Sequence, residues 1–308
     1  MINRILIRLK IVQLLYAYYQ NKSTNIETAE KELLFSLSKA YDLYNYLLML
    51  MIAVTRYALQ RVEQKEKHNE IIHSDEVVSH KFVDNKFIMQ LEANKQLQEF
   101  RETQKKTWDN DADYVKYLYD TIVSTGFYNE YMSSGESSYA EDRELWRKIY
   151  KFIIMKDERI DEVLEDQSLY WNDDKEIVDT FVLKTIKRFD EEQGADMELM
   201  PEYKDDEDRE FAVRLFRRSI LNADYYRGLI SQSVKNWEFN RLAYMDVVIM
   251  QVAIAEILSF PNIPVSVSIN EYVEIAKCYS TAKSGGYVNG IIDNVVKRLR
   301  SENKLLKQ

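Results

Sequence analysis

PNIPVSVSINEYVEIAKCYSTAKSGGYVNGIID, residues 261–293, holds two of the chain's three prolines and three of its seven glycines. Breakers so scarce elsewhere mark one shaped local structure here. Pro261 follows Phe260 and ends one helix. Pro264 keeps the connection extended and bars helix at Ile263. Ser268 with Glu271 has the capping-box spacing, so a helix is expected to start at Ser268. Ile269, Val273 and Ala276 form its buried stripe, and Lys277 suits the negative end of its dipole. Gly285 and Gly286 permit positive φ or a close backbone approach. Asn289 reads as the N-cap of a last helix over 289–300. Tyr287, just before that cap, either staples the helix start or presents a stacking surface.

Outward from this stretch the composition is that of long helices. The chain has 308 residues, 46% of them hydrophobic, with 22 tyrosines and only ten glycines and prolines together. Few breakers among many Leu, Ile, Lys, Glu and Tyr predict an all-α fold. Helical periodicity is expected over 2–22, 27–62, 208–234, 239–259 and 267–280. It also recurs within 85–104, 112–132, 142–165 and 174–192. QKEKHNEIIHSDE (64–76) and DEEQGADMELMPEYKDDEDRE (190–210) read as linkers. Three segments, beginning at Asp111, Asp142 and Asp208, echo one another with an apolar fourth residue and an aliphatic–aromatic pair at the eighth and ninth. Their uneven spacing does not make a solenoid.

Charge narrows the function classes. The total is −9. Yet residues 1–26 carry Arg4, Arg8, Lys10 and Lys22 and no acid, and residues 275–308 carry +5. The middle therefore holds −18, and two basic ends that met in the fold would make one positive patch. The lone Cys278 excludes an internal disulfide and fits a reducing compartment. No run reaches the ~20 apolar residues of a spanning helix, so a soluble, cytoplasmic chain without membrane partners is expected. His68, His73 and His80 lie in a polar stretch at spacings of five and seven, which do not make the i,i+4 pair of a helical metal site, so no metal is expected. There is no glycine-rich phosphate loop and no nucleophile–histidine pairing. Neither a cofactor nor catalysis is expected.

RLAYMDVVIMQVAIAEILSFPNIPVSVSINEYVEIAKCYSTAKSGGYVNGIIDNV resembles the carboxyl-terminal half of the NusB family of transcription antitermination factors. The likeness runs through Glu256-Ile257-Leu258, then IP, then INEYVEIAK, then the aromatic–VNG–aliphatic run from Tyr287 to Asp293. Arg4, Arg8 and IVQLLYAYY are similar to the family's opening helix. The expected organisation is a NusB-like helical bundle made of 1–62 and 208–308, with an acidic helical insertion over 63–207.

The resemblance implies a non-catalytic protein that binds boxA-type single-stranded RNA of ribosomal RNA leaders together with the ribosomal protein NusE. Such a complex joins an elongating RNA polymerase through other Nus factors. The implied RNA surface comprises Arg4, Arg8, Lys10, Tyr16, Lys283, Tyr287 and Asn289, and Asp246 falls near the family's protein-partner surface. The arginines would contact phosphates and the tyrosines would stack on unpaired bases. Two other readings exist: a scaffold of the same fold without RNA binding, and an accessory domain like those preceding some RNA cytosine methyltransferases.

Overall fold

The computed structural model describes residues 1–308 apart from 105–106, 136–137, 172, 235–241, 282, 306 and 308. Among the described residues there are fourteen α-helices and no strand, only an isolated parallel bridge between Ile2 and Tyr203. None of these helices is long and apolar enough to cross a membrane. The fold is all-α, as the scarcity of breakers predicts.

The chain divides into two compact units. The core unit comprises Ile2–Ser38 and Tyr203–Gln308, and the middle unit Lys39–Glu202 with Met1. The expected boundaries at 62 and 208 therefore move to 38 and 202. The cause is one helix, α2, which runs unbroken from Ile26 to Ile71. It continues through the first half of the expected 64–76 linker, because Gln, Lys and Glu are strong helix formers even where no apolar stripe signals them.

The core unit contains α1 (Arg4–Gln20), the start of α2, α10 (Asp206–Leu221), α11 (Ala223–Ser233), α12 (Tyr244–Ser259), α13 (Val265–Tyr279) and α14 (Ser284–Ser301). The single helix expected over 208–234 is broken at Asn222, whose backbone leaves helical geometry (φ −114°, ψ 21°). The centre of the unit is α12, buried without interruption from Asp246 to Ile257. A helix apolar on every side belongs inside a bundle. α1, α10, α11, α13 and α14 all pack on it.

Three polar residues interrupt the apolar surface of α12 at five-residue steps: Asp246, Gln251 and Glu256, each at most 5% exposed. Each step turns the helix about 140° past a full circle, so each faces different neighbours. Asp246 accepts from the Ser284 hydroxyl of α14 at 2.9 Å. Gln251 Nε2 donates to Tyr19 Oη of α1 at 2.8 Å and to the Ser219 carbonyl of α10 at 2.7 Å. Glu256 binds Arg8 of α1 and Ser268 and Tyr272 of α13. Buried polar groups are costly unless satisfied. These three fix the register of the surrounding helices, which apolar packing alone leaves loose.

The middle unit uses the rest of α2 with α3 (Lys86–Ala93), α4 (Lys95–Gln104), α5 (Ala112–Val123), α6 (Gly126–Ser133), α7 (Tyr139–Phe152), α8 (Arg159–Gln167) and α9 (Lys175–Arg188). Its core is aromatic. Trp108 stacks on Tyr46 with centroids 4.3 Å apart and donates its indole N–H to the Tyr46 carbonyl at 2.9 Å. Buried Asn85 and Asn94 cap α3 and α4 through the N–H groups of Ile88 and Leu97. The three echoing segments all fold as helices: α5, α7 and α10.

Candidate nucleic-acid interface

The termini of α1 meet opposite ends of α12, because the two helices run antiparallel. Arg8, near the start of α1, reaches Glu256 near the end of α12. Tyr16, near the end of α1, has its ring 5.6 Å from that of Tyr244, the first residue of α12. Arg4 and Tyr16 are thus about 18 Å apart along one helix, at ~1.5 Å per residue.

The Arg8 end is sealed. Arg8 is 4% exposed and Glu256 is fully buried. Nε and an Nη of Arg8 donate to the two carboxylate oxygens at 2.8 and 2.9 Å, a bidentate fork. Ser268 Oγ and Tyr272 Oη donate to the same carboxylate at 2.7 and 2.8 Å, and Glu271 lies 3.4 Å from Arg8. Burial works against the guanidinium charge, but the bond to Glu256 and its charge outweigh it, and Arg8 is held above its ordinary pKa. Burial and then the neighbouring Glu256 keep the Tyr272 phenol protonated, well above its usual range.

This arrangement corrects several expectations. Arg8 has no open face for a phosphate, and Lys10 is equally buried at 4% exposed. Ser268 is not an N-cap: α13 starts earlier, at Val265 behind Pro264, and Ser268 sits one turn in, spending its hydroxyl on Glu256. Arg4 remains partly exposed, but Asp208 and Glu207 at the start of α10 hold it at 3.0 and 3.6 Å. Its guanidinium lies 5.0 Å from the centre of the Phe211 ring. The imagined surface joining Arg4 and Arg8 to Tyr287 is not assembled.

Among the described residues the other end is partly open. The first turn of α12 touches both α1 and α14 there, through Tyr244 against Tyr16 and Asp246 against Ser284. α14 begins at Ser284, five residues before the expected start, with Lys283 as its N-cap. Lys283 and Tyr287 therefore stand one turn apart on a shared face, the former exposed and the latter half-buried. Asn289 is exposed inside the helix rather than capping it, and two residues from Tyr287 it does not share that face. Neither Gly285 nor Gly286 has positive φ. Gly285 instead permits a close approach, since a Cβ there would lie 2.8 Å from Lys277 Cγ.

Asp246, expected near a protein partner, is buried, with one oxygen taken by Ser284 and the other without a hydrogen bond. Its side chain ties α12 to α14 rather than facing a partner.

Two residues at the open end escape a reading by motif: Tyr244 and Arg227. The Arg227 guanidinium lies 4.3 Å from the centre of the Tyr19 ring and 5.8 Å from that of Tyr244. Gln251 Oε1 holds it by accepting from Nε at 2.8 Å. Burial pushes the Tyr19 phenol upward, so it stays a neutral acceptor for Gln251. The result is a platform of three tyrosines and one arginine, with Tyr244 37% exposed. The excess of tyrosine was the only sequence signal. Among the described residues no group of His, Cys, Asp and Glu is placed to hold a metal ion.

Comparison with known proteins places this architecture. Residues 175–297 match the family model described as the NusB family. The match begins in α9, ahead of the expected 208, while α1 lies outside the matched range although it packs on α10, α12 and α13. The transcription antitermination protein NusB of Salinibacter ruber is 37% identical over 108 residues, covering 35% of this chain and 68% of that protein. The protein of the same name from Chloroherpeton thalassium is 40% identical over 99 residues, 32% of this chain and 47% of that one. That from Natranaerobius thermophilus is 45% identical over 82 residues, 27% of this chain and 59% of that one. Among solved structures, T. maritima NusB is 35% identical, covers 40% of this chain and 87% of that one, and superposes with a TM-score of 0.31. With 37% identity across two thirds of the Salinibacter ruber protein, this chain belongs to the NusB family.

Proposed function

We propose that this chain is a transcription antitermination factor that binds boxA-type single-stranded RNA of ribosomal RNA leaders together with NusE. The resulting complex joins an RNA polymerase elongation complex through other Nus factors. Support comes from the names of the relatives and from one structural observation: Tyr16, Lys283 and Tyr287 come from helices that meet the same turn of α12. Lys283 supplies a phosphate contact. Tyr287 and Tyr16 offer ring faces to unpaired bases, with Tyr244 and Arg227 extending the platform. Base–aromatic stacking is worth ~1–3 kcal/mol per base, so a few partly open rings carry useful affinity with little net charge. Arg4 lies about 18 Å away along α1 and contributes no contact at this end.

The test is a salt titration with a boxA-like single strand, with and without NusE. Binding that weakens with salt by about 0.7 log units per log unit for each phosphate contact, and that Lys283→Ala and Tyr287→Ala weaken, supports the assignment. The burial of Arg8 and Lys10 favours the second reading, a scaffold of the same fold that engages protein without RNA. Intact NusE binding with no salt-dependent RNA binding would establish that reading instead.

A further inference from the structure

A second basic surface lies on the core unit, outside the residues discussed above. Four arginines of α10, Arg209, Arg214, Arg217 and Arg218, are exposed. Their helix face is an open surface shared with Glu210 and Val213, with exposed Leu221 at its end. Arg214 and Arg218 also line an adjoining cleft of about 450 Å³, whose other walls include Asn222, Tyr225, Ser259 and Pro261. The acids of this helix, Asp206, Glu207, Asp208 and Glu210, sit in its first turns, so Arg214, Arg217 and Arg218 make its second half locally basic.

The cleft has parts of distinct chemistry. Arg214 is pre-positioned: its guanidinium lies 4.9 Å from the centre of the Phe260 ring and donates to the Ser259 carbonyl at 2.7 Å. Arg218, one turn on, is exposed. Tyr225, at the start of α11, is 47% exposed. Lys307 Nζ donates to the Phe260 carbonyl at 2.8 Å, which brings the chain around Lys304 towards the cleft, and Glu302 pairs with Lys304 at 2.7 Å. Glu30 pairs with Arg217 and Glu302 with Lys304 and Arg298, while Arg218 lines the cleft. A fixed cation, a flexible cation, an amide oxygen (the Asn222 side-chain N–H donates to the Arg218 carbonyl) and an open ring, side by side, are the groups a nucleotide needs for its phosphate, its base edge and its base face. An acidic polypeptide would use the cations and leave the ring and the amide idle.

We propose that Arg214, Arg218, Asn222, Tyr225 and Lys304 form a second single-strand RNA contact, which holds nucleotides flanking the segment bound at the Tyr16–Tyr287 end. The proposal rests on the RNA reading of the chain and extends it to a longer strand. Arg218 and Lys304 neutralise phosphates, Tyr225 stacks on one base, and Arg214 lines the path as a positioned cation.

The experiment compares two RNAs on the full chain: a boxA-like strand, and the same strand extended at both ends by unpaired uridines. The wild-type chain should bind the extended strand more tightly. Arg218→Glu with Lys304→Glu should abolish that gain and flatten the salt slope by roughly 1.4, the value for two phosphate contacts. The short strand's affinity should stay within about twofold, the scatter expected for exposed substitutions elsewhere. Tyr225→Ala should lower extended-strand affinity roughly 5- to 150-fold, the value of one stacked base. Arg218→Lys with Lys304→Arg keeps both charges and should keep the slope, which separates charge from folding. The proposal is overturned if the extension adds nothing, if the charge-reversed chain keeps the gain, or if that chain loses only the capture of poly-glutamate. In those cases short-strand binding, and with it the function proposed above, still stands. Failure of the wild-type chain to bind either strand removes both.

Discussion

The two ends of α1 treat similar residue types in opposite ways. At its start an arginine is locked in a fully buried carboxylate network and serves only the fold. At its end tyrosines stay partly open around an arginine that donates to Gln251 and to Tyr244. The difference lies in what α12 presents to each. Glu256 offers a full charge, so Arg8 must be buried with it, because leaving a carboxylate unpaired in the interior is costly. Gln251 offers only a neutral amide, so Arg227 can remain half-buried, with its flat face on two rings. A basic residue on an amphipathic helix is therefore a binding residue only if the helix beside it does not claim it.

The hardest blow to this contrast would come from Arg8→Met. If the sealed end is structural, the substitution strands Glu256 and should cost about 3–5 kcal/mol, read by denaturant unfolding. RNA affinity per folded molecule should not change. Arg8→Met with Glu256→Leu should cost less than the sum of the two single changes. A fully stable Arg8→Met chain that had lost RNA binding would reverse the roles of the two ends.

At the open end, Tyr287→Ala should lower RNA affinity by ~1–3 kcal/mol while thermal unfolding barely moves. A loss of stability in place of affinity would make Tyr287 the staple of α14. Ser284→Ala probes the join between the two: it takes the hydroxyl from Asp246, whose other oxygen already lacks a hydrogen bond. The expected cost is about 1–3 kcal/mol of stability, the penalty for an unsatisfied buried acceptor, and hydrogen exchange should rise first at the start of α14.

The smallest effect lies in the middle unit, where partly exposed His80 meets Glu66 at 2.7 Å. The hydrogen bond from Glu66 raises the His80 pKa above its usual 6.5. Its contribution is therefore complete below that value and is lost as pH rises through the higher folded-state value. Exposure limits it to ~0.2–1 kcal/mol. His80→Gln should flatten the pH dependence of stability above about pH 6.5 without moving RNA binding, and a larger loss would show that the contact does more than a surface pair.

Much of the fold was legible in the residues. The breakers at Pro261 and Pro264 ended α12 and delayed α13, and the VNG run lay within the family's matched range. Boundaries were less legible. α14 starts before its expected cap at Asn289, because Ser284 is held by Asp246, which is 38 residues away in sequence. α2 outran its apolar stripe because propensity alone sustains a polar helix that continues from a packed one. Of the residues at the open end, Lys283 and Tyr287 were singled out by the motif stretch. Tyr244 and Arg227 were not, since nothing local links them.

The sequence by itself determined that the chain is helical, where its rare prolines interrupt it, and to which family it belongs. Those properties rest on short-range sterics and on residue order. Tertiary structure alone decided which charges face water. Arg8 and Glu256 are 248 residues apart, and helical periodicity tells which face a side chain occupies but not which neighbour covers that face. Only the antiparallel packing of α1 on α12 turned one apparent basic surface into a buried clamp and left the aromatic end exposed.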